Sequence, residues 1–245
     1  MEKKTYDFIL GPCDTDSISF CRQDGTFFTK EERATLLAEL NALFPETIKF
    51  EDDGFFPKVI AIKTKNYILL DENGKLKVKG SALKKSTSEK AIKEYFTQFI
   101  DYLVYDKQDK LVELYEKYVK EAMVVTDMSR WVTRKTITSK VLEGTRTNET
   151  KVMDAIEGSA YKEGDRIYTF YKPDESLCLL ENFTGEYDKM KLVKKLHTAT
   201  KTFSTVIDVG LFKNYALKKN QDDLMRLVEG ANMDKDWEDG ELVTL

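Results

Sequence analysis

Asp14-Thr15-Asp16-Ser17 is the tetrapeptide whose residue types and spacing speak most directly of chemistry. Carboxylates at i and i+2 on a strand project to the same side, so two acids converge on a hard cation such as magnesium. Around them, Gly11-Pro12-Cys13-Asp14-Thr15-Asp16 connects two short β-like runs, Tyr6 to Leu10 and Ser17 to Phe20. That reads as a β-hairpin with acidic residues at its tip. A sharp turn exposes the acids and avoids burying unpaired charge. The arrangement suits magnesium-assisted phosphoryl transfer, in which two ions about 4 Å apart activate the attacking oxygen and stabilise the leaving one. Acidic residues also populate turns because they tolerate the backbone, so the tetrapeptide draws its meaning from its surroundings.

The elements that must position it follow in order. Thr29-Lys30-Glu31-Glu32 is a capping box, in which the Thr29 hydroxyl accepts from a free backbone N–H and Glu32 reaches back. Leu36, Leu37, Leu40, Leu43 and Phe44 then share one helical face, and Pro45 ends the helix. Strand signals run from Phe55 to Leu70. Glu72-Asn73-Gly74 is a hairpin turn, because Asn and Gly tolerate positive φ. A further strand, Lys75 to Lys79, stops at Gly80. The first ~80 residues are therefore expected to be a helix with antiparallel strands, an α+β arrangement.

Beyond Leu83 helical periodicity takes over. Ser86-Thr87-Ser88-Glu89 reads as a second capping box, followed by Ile92, Phe96, Phe99 and Leu103 at helical spacing. Leu111, Leu114, Tyr115, Tyr118 and Ala122 mark another helix, and Asn148 to Ile156, Tyr187 to Phe203 and Gln221 to Val228 are expected to be helical. Arg166 to Tyr171 alternates as a strand after the Glu163-Gly164-Asp165 turn. The aromatic stripes in these helices predict a core. The expected domains are residues 1–83 and 84–245.

Composition excludes several classes. In 245 residues the hydrophobic fraction is 41%, enough for a core. No stretch is apolar enough to cross a bilayer, and Met1-Glu2-Lys3-Lys4 opens no signal peptide. A cytoplasmic protein is expected, without a membrane partner. Cys13, Cys21 and Cys178 are an odd, scattered set that suggests neither disulfides nor zinc, and the one histidine, His197, rules out an imidazole metal site. The net charge of −4 does not advertise a nucleic-acid binder. Yet Lys63, Lys65, Lys75, Lys77, Lys79, Lys84, Lys85 and Lys90 crowd one region, and a chain acidic overall still has room for a local basic groove.

Taken together these motifs resemble the carboxy-terminal part of a family B DNA polymerase. Asp14-Thr15-Asp16-Ser17 looks like the family's C motif, Tyr-Gly-Asp-Thr-Asp-Ser. Thr64-Lys65-Asn66-Tyr67 is similar to its Lys-Lys-Arg-Tyr motif, and Lys77-Val78-Lys79-Gly80 to the Lys-x-Lys/Arg-Gly strand before the thumb. Ala155-Ile156-Glu157-Gly158 and the segment Tyr161 to Tyr168 look, less specifically, like a thumb segment. The resemblance implies antiparallel palm strands with a helix over 1–83 and a mainly helical thumb over 84–245. It implies that Asp16 is a metal-binding catalytic residue and Asp14 a weaker neighbour. It also implies that Lys65, Tyr67, Lys77 and Lys79 contact primer–template DNA. Pro12 and Cys13 stand where the family has Tyr-Gly, and Thr64 and Asn66 stand where it has Lys and Arg.

The family's preceding A-motif aspartate, its fingers lysine and its exonuclease domain have no counterpart in the thirteen residues before Asp14. The expectation is one polypeptide of a split viral or phage polymerase, in the host cytoplasm if viral. It would be active as a nucleotidyltransferase only with a partner chain that carries exonuclease, A motif and fingers. Primer–template DNA and deoxynucleoside triphosphates would be its substrates, and two Mg2+ ions would be shared across the heterodimer. The alternative is a non-catalytic DNA-binding or replisome assembly factor derived from a polymerase thumb.

Overall fold

The computed structural model describes residues 7–13, 16–81, 83, 89–143, 152 and 161–233. Asp14, Tyr6, Lys84, Lys85, the segment Ser86 to Ser88, the Ala155-Ile156-Glu157-Gly158 motif and the tail from Asp234 lie outside them. So does the expected helix Asn148 to Ile156, apart from Val152, which is buried. Two compact units divide the chain, residues 1–83 and 84–245. Among the described residues no helix is long and apolar enough to cross a membrane.

In the first unit, β1 (Phe8–Leu10) and β2 (Phe20–Arg22) form an antiparallel two-stranded sheet. Helix α1 (Lys30–Asn41) begins at the expected capping box: the Thr29 hydroxyl accepts from the Glu32 N–H at 3.2 Å, and the Glu32 carboxylate accepts from the Thr29 N–H at 2.9 Å. That second bond, with the Arg22 guanidinium 2.5 Å away, holds the Glu32 carboxyl below its ordinary range. The helix stops at Asn41, four residues before Pro45, so Leu43 and Phe44 fall past its end and Leu43 is 79% exposed. Asn41 explains the early stop. Its side chain donates to the Phe50 carbonyl at 3.0 Å and accepts from the Phe50 N–H at 2.7 Å, which closes the following loop.

The expected strand from Phe55 to Leu70 is two strands. β3 (Lys58–Lys63) and β4 (Asn66–Leu70) pair antiparallel across a Thr64-Lys65 turn, and β5 (Leu76–Lys79) adds on the far side of β4. The β4–β5 turn runs through Asn73-Gly74 as expected. Gly74 has φ 74°, and the Asp71 carboxylate accepts from the Asn73 and Lys75 N–H groups.

The second unit is mainly helical. Helices α2 (Lys90–Val104), α3 (Leu111–Met123) and α4 (Lys189–Lys201) bury long apolar faces, and α5 (Gln221–Met233) follows. Phe96 and Phe99 close on Phe203 with ring centroids 4.9 and 4.7 Å away. Tyr95 and Thr200 share a 2.6 Å hydrogen bond deep in this core. Burial raises the Tyr95 phenol well above its ordinary range and pushes Tyr118 up to about 12. The expected second capping box is not how α2 starts. Glu89 is its N-cap and makes no capping bond. Its carboxylate is instead buried, 2% exposed, accepting from the Thr133 hydroxyl at 2.9 Å and from the Lys195 ammonium. A buried charge takes a charged partner over a local cap because leaving it unpaired costs more.

A three-stranded antiparallel sheet, β6 (Thr133–Thr136), β7 (Arg166–Tyr171) and β8 (Leu177–Leu179), completes this unit. Ile137, Val152, Ile167 and Leu179 form a small core beneath it. The α+β class expected from the sequence is the one observed: antiparallel strands with a helix, then a mainly helical unit.

Candidate nucleic-acid interface and acidic hairpin

The β1–β2 sheet carries the acidic connection. Phe8 pairs with Arg22, Ile9 with Cys21 and Leu10 with Phe20, and the Gly11 N–H extends the ladder by donating to the Ser19 carbonyl at 2.8 Å. Asp16 lies exposed in the connection beyond. A hard cation takes about six oxygen ligands. Among the described residues no three His, Cys, Asp or Glu side chains group closely enough to hold a metal ion. The described residues therefore do not make a magnesium centre by themselves; Asp16 is the carboxylate they place in this connection.

The β3–β4–β5 sheet sorts its side chains by parity. Ile60, Ile62, Ile68, Leu70, Leu76 and Val78 share the face that holds its two most buried residues, Ile62 and Ile68. The other face carries Val59 and Ala61 on β3, Tyr67 on β4, and Lys77 and Lys79 on β5. Register places Tyr67 directly across from Lys79, and Leu69 across from Lys77. Both lysines are exposed, and Tyr67 is half-buried. This face is thus basic with an aromatic at its centre. Phe56, not singled out from the sequence, lies just before β3 and positions Lys77, whose ammonium sits 4.9 Å from the centre of its ring. The signal for it was the Phe55-Phe56-Pro57 run before a strand.

Lys65 is not on a strand. It occupies the β3–β4 turn with φ 61°, a left-handed conformation rare outside glycine. A β-bulge between Ala61 and Lys63 adjusts the register into this turn. Two residues hold it from beneath. The buried Asn66 side chain donates to the Thr64 carbonyl at 2.8 Å, and Gly80 packs against Asn66. Gly80 has φ 108°, and a Cβ there would collide with the Asn66 side-chain oxygen and the Lys65 carbonyl. The glycine that ends the Lys77-Val78-Lys79-Gly80 strand thereby fixes the turn that presents Lys65. The structure accordingly brings Tyr67, Lys77 and Lys79 onto one face with Lys65 at the adjoining turn, and places Asp16 in the connection between β1 and β2, away from that face's sheet.

No family model and no curated protein matches this sequence. Solved structures do match its backbone. Similarity to the family B DNA polymerase from the hyperthermophilic archaeon Pyrobaculum calidifontis reaches a TM-score of 0.56, with 14% sequence identity. The fold is polymerase-like. The match takes in 73% of this chain and 25% of that polymerase, so the chain spans about a quarter of its length. At that identity the likeness is one of backbone, and the α+β organisation of this polymerase-like fold is what it supports.

Proposed function

We propose that this chain is the C-motif and thumb portion of a family B DNA-directed DNA polymerase. Residues 1–83 would act as the carboxy-terminal part of the palm and 84–245 as the thumb. A partner polypeptide would bring the exonuclease domain, the A motif and the fingers. The observation that carries this reading is the register of β4 against β5. It sets Tyr67 beside Lys79 on a basic sheet face within a polymerase-like fold. A planar aromatic flanked by ammonium groups suits the minor groove of a primer–template duplex, where hydrogen-bond acceptors are present on every base pair. Lys65 and Tyr67 would hold the primer end and Lys77 and Lys79 would lie along the duplex backbone, while the thumb clasps the duplex.

In this reading Asp16, with Asp14 beside it, is the carboxylate this chain lends to a pair of Mg2+ ions shared with the partner. Magnesium would supply charge to the triphosphate and the attacking primer hydroxyl. The protein's own work is positioning: holding the duplex still and presenting Asp16 in water-exposed form to the junction.

The first unit has surface for such a partner. Leu10 is 66% exposed, Ile9, Ile18 and Phe20 are exposed beside it, and α1 buries none of its residues. A two-stranded sheet is marginal alone and invites further pairing at its edges. Hydrogen exchange tests this. Amides from Phe8 to Leu10 are expected to gain protection when the chain binds the polypeptide carrying the A motif and fingers. Equal protection in the free and paired chain would show that this strand forms no junction.

A further inference from the structure

We propose that the outer face of the β6–β7–β8 sheet is a second nucleic-acid site that takes a single-stranded polynucleotide. Register puts Arg134 directly across from Tyr168 and Thr136 across from Arg166, so both arginines flank Tyr168 on one face. Arg134, Thr136 and Arg166 are exposed, and Tyr168 is 38% exposed, while Ile167 between Arg166 and Tyr168, and Thr169 after it, are buried on the opposite face. Phe170 closes the platform at one end: it is buried edge-on against Phe183, with centroids 5.5 Å apart.

What the face leaves open identifies its occupant. Among the described residues no aromatic ring stacks on Tyr168, no cation covers it, and no carboxylate pairs with Arg134 or Arg166. The two acids in the turn before Arg166 accept backbone hydrogen bonds. Asp165 accepts from the Lys162 N–H at 2.7 Å and Glu163 from the Ser139 N–H at 3.2 Å. A ring that no described residue covers, between two guanidinium groups that no described carboxylate pairs, matches the chemistry of an unpaired base with phosphates on either side. A duplex keeps its bases stacked inside and offers none to such a ring, so the single strand is the fitting ligand. The inference rests on this sheet alone and holds whether or not the chain takes part in polymerisation.

Fluorescence anisotropy of the full chain with labelled oligothymidylate, oligouridylate of equal length and a blunt DNA duplex tests it. Tyr168→Leu is expected to weaken single-strand binding about tenfold, while Tyr168→Phe, which keeps the ring, binds as the parent does. The double variant Arg134→Gln, Arg166→Gln is expected to reduce the salt slope of single-strand binding by about 1.4. Duplex affinity stays unchanged in each variant. Preference for oligothymidylate assigns the site to DNA, and preference for oligouridylate to RNA. Parental single-strand affinity in Tyr168→Leu, or equal losses for duplex and single strand, would overturn the proposal, and thermal unfolding of each variant separates a lost site from a lost fold.

Discussion

Tyr67 and Lys79 face one another across β4 and β5, paired in register on one face of their sheet. Directly opposed residues of an antiparallel pair keep their Cβ atoms about 5 Å apart. An aromatic ring and an ammonium group are therefore presented together by backbone hydrogen bonds, with no loop whose motion could separate them. Lys77, two residues back and held by Phe56, extends the same basic line.

If this face meets a duplex backbone, Lys79→Ala weakens primer–template binding with little dependence on sequence. It also lowers the slope of log affinity against log salt by about 0.9, one phosphate contact. Titrations at several salt concentrations read both. An unchanged affinity and slope would mean that Lys79 faces only solvent.

Gly80 is the residue whose replacement reaches furthest for its size. Gly80→Ala forces a Cβ into the Asn66 side chain and the Lys65 carbonyl at a φ that L-residues avoid. A loss of about 2 kcal/mol or more is expected in denaturant unfolding. The amides of the Thr64-Lys65 turn should exchange faster, and duplex binding should weaken through displacement of Lys65. A Gly80→Ala chain of parental stability would refute the packing described here.

His197 predicts an acid response. It is buried in α4, its Nδ1 has no hydrogen-bond partner among the described residues, and burial together with nearby Lys201 lowers its tendency to protonate. An unfolded histidine titrates near 6.5, so below that pH the unfolded chain binds a proton that the folded chain refuses. Stability is therefore full above about 6.5 and falls as pH drops from there towards the folded-state value, by at most about 1.4 kcal/mol per pH unit. Because the chain has one histidine, His197→Phe should flatten thermal stability between pH 5 and 7. A parental slope in that variant would place the acid response elsewhere.

These predictions also mark how much the sequence exposed. Local signals with a complete mechanism in a few residues were legible: the Thr29–Glu32 box, the Asn73-Gly74 turn and the alternation of β7. The division of β3 from β4 was not, because Thr64-Lys65 contains no glycine or proline. Lys65 adopts its left-handed conformation because Asn66 and Gly80 support it, and Gly80 is fifteen residues beyond Lys65. Glu89 misled for the same reason. Its capping pattern with Ser86 was local, and its preference for Lys195 and Thr133 is decided by tertiary burial. For the site, residue types and order suggested which lysines to watch, but only the β4–β5 register showed that Tyr67 and Lys79 form a pair.

Primer extension tests the central claim most directly. On the proposed division, in which the A-motif acid and the fingers come from a partner polypeptide, the purified chain alone is expected to extend no primer. Mixed with the polypeptide that carries the family's A motif and fingers, it should support extension with Mg2+. Asp16→Asn keeps the side-chain shape but removes the charge, and should nearly abolish extension while the two chains still co-purify. Extension by the chain alone, or parental extension by the Asp16→Asn assembly, would contradict the account.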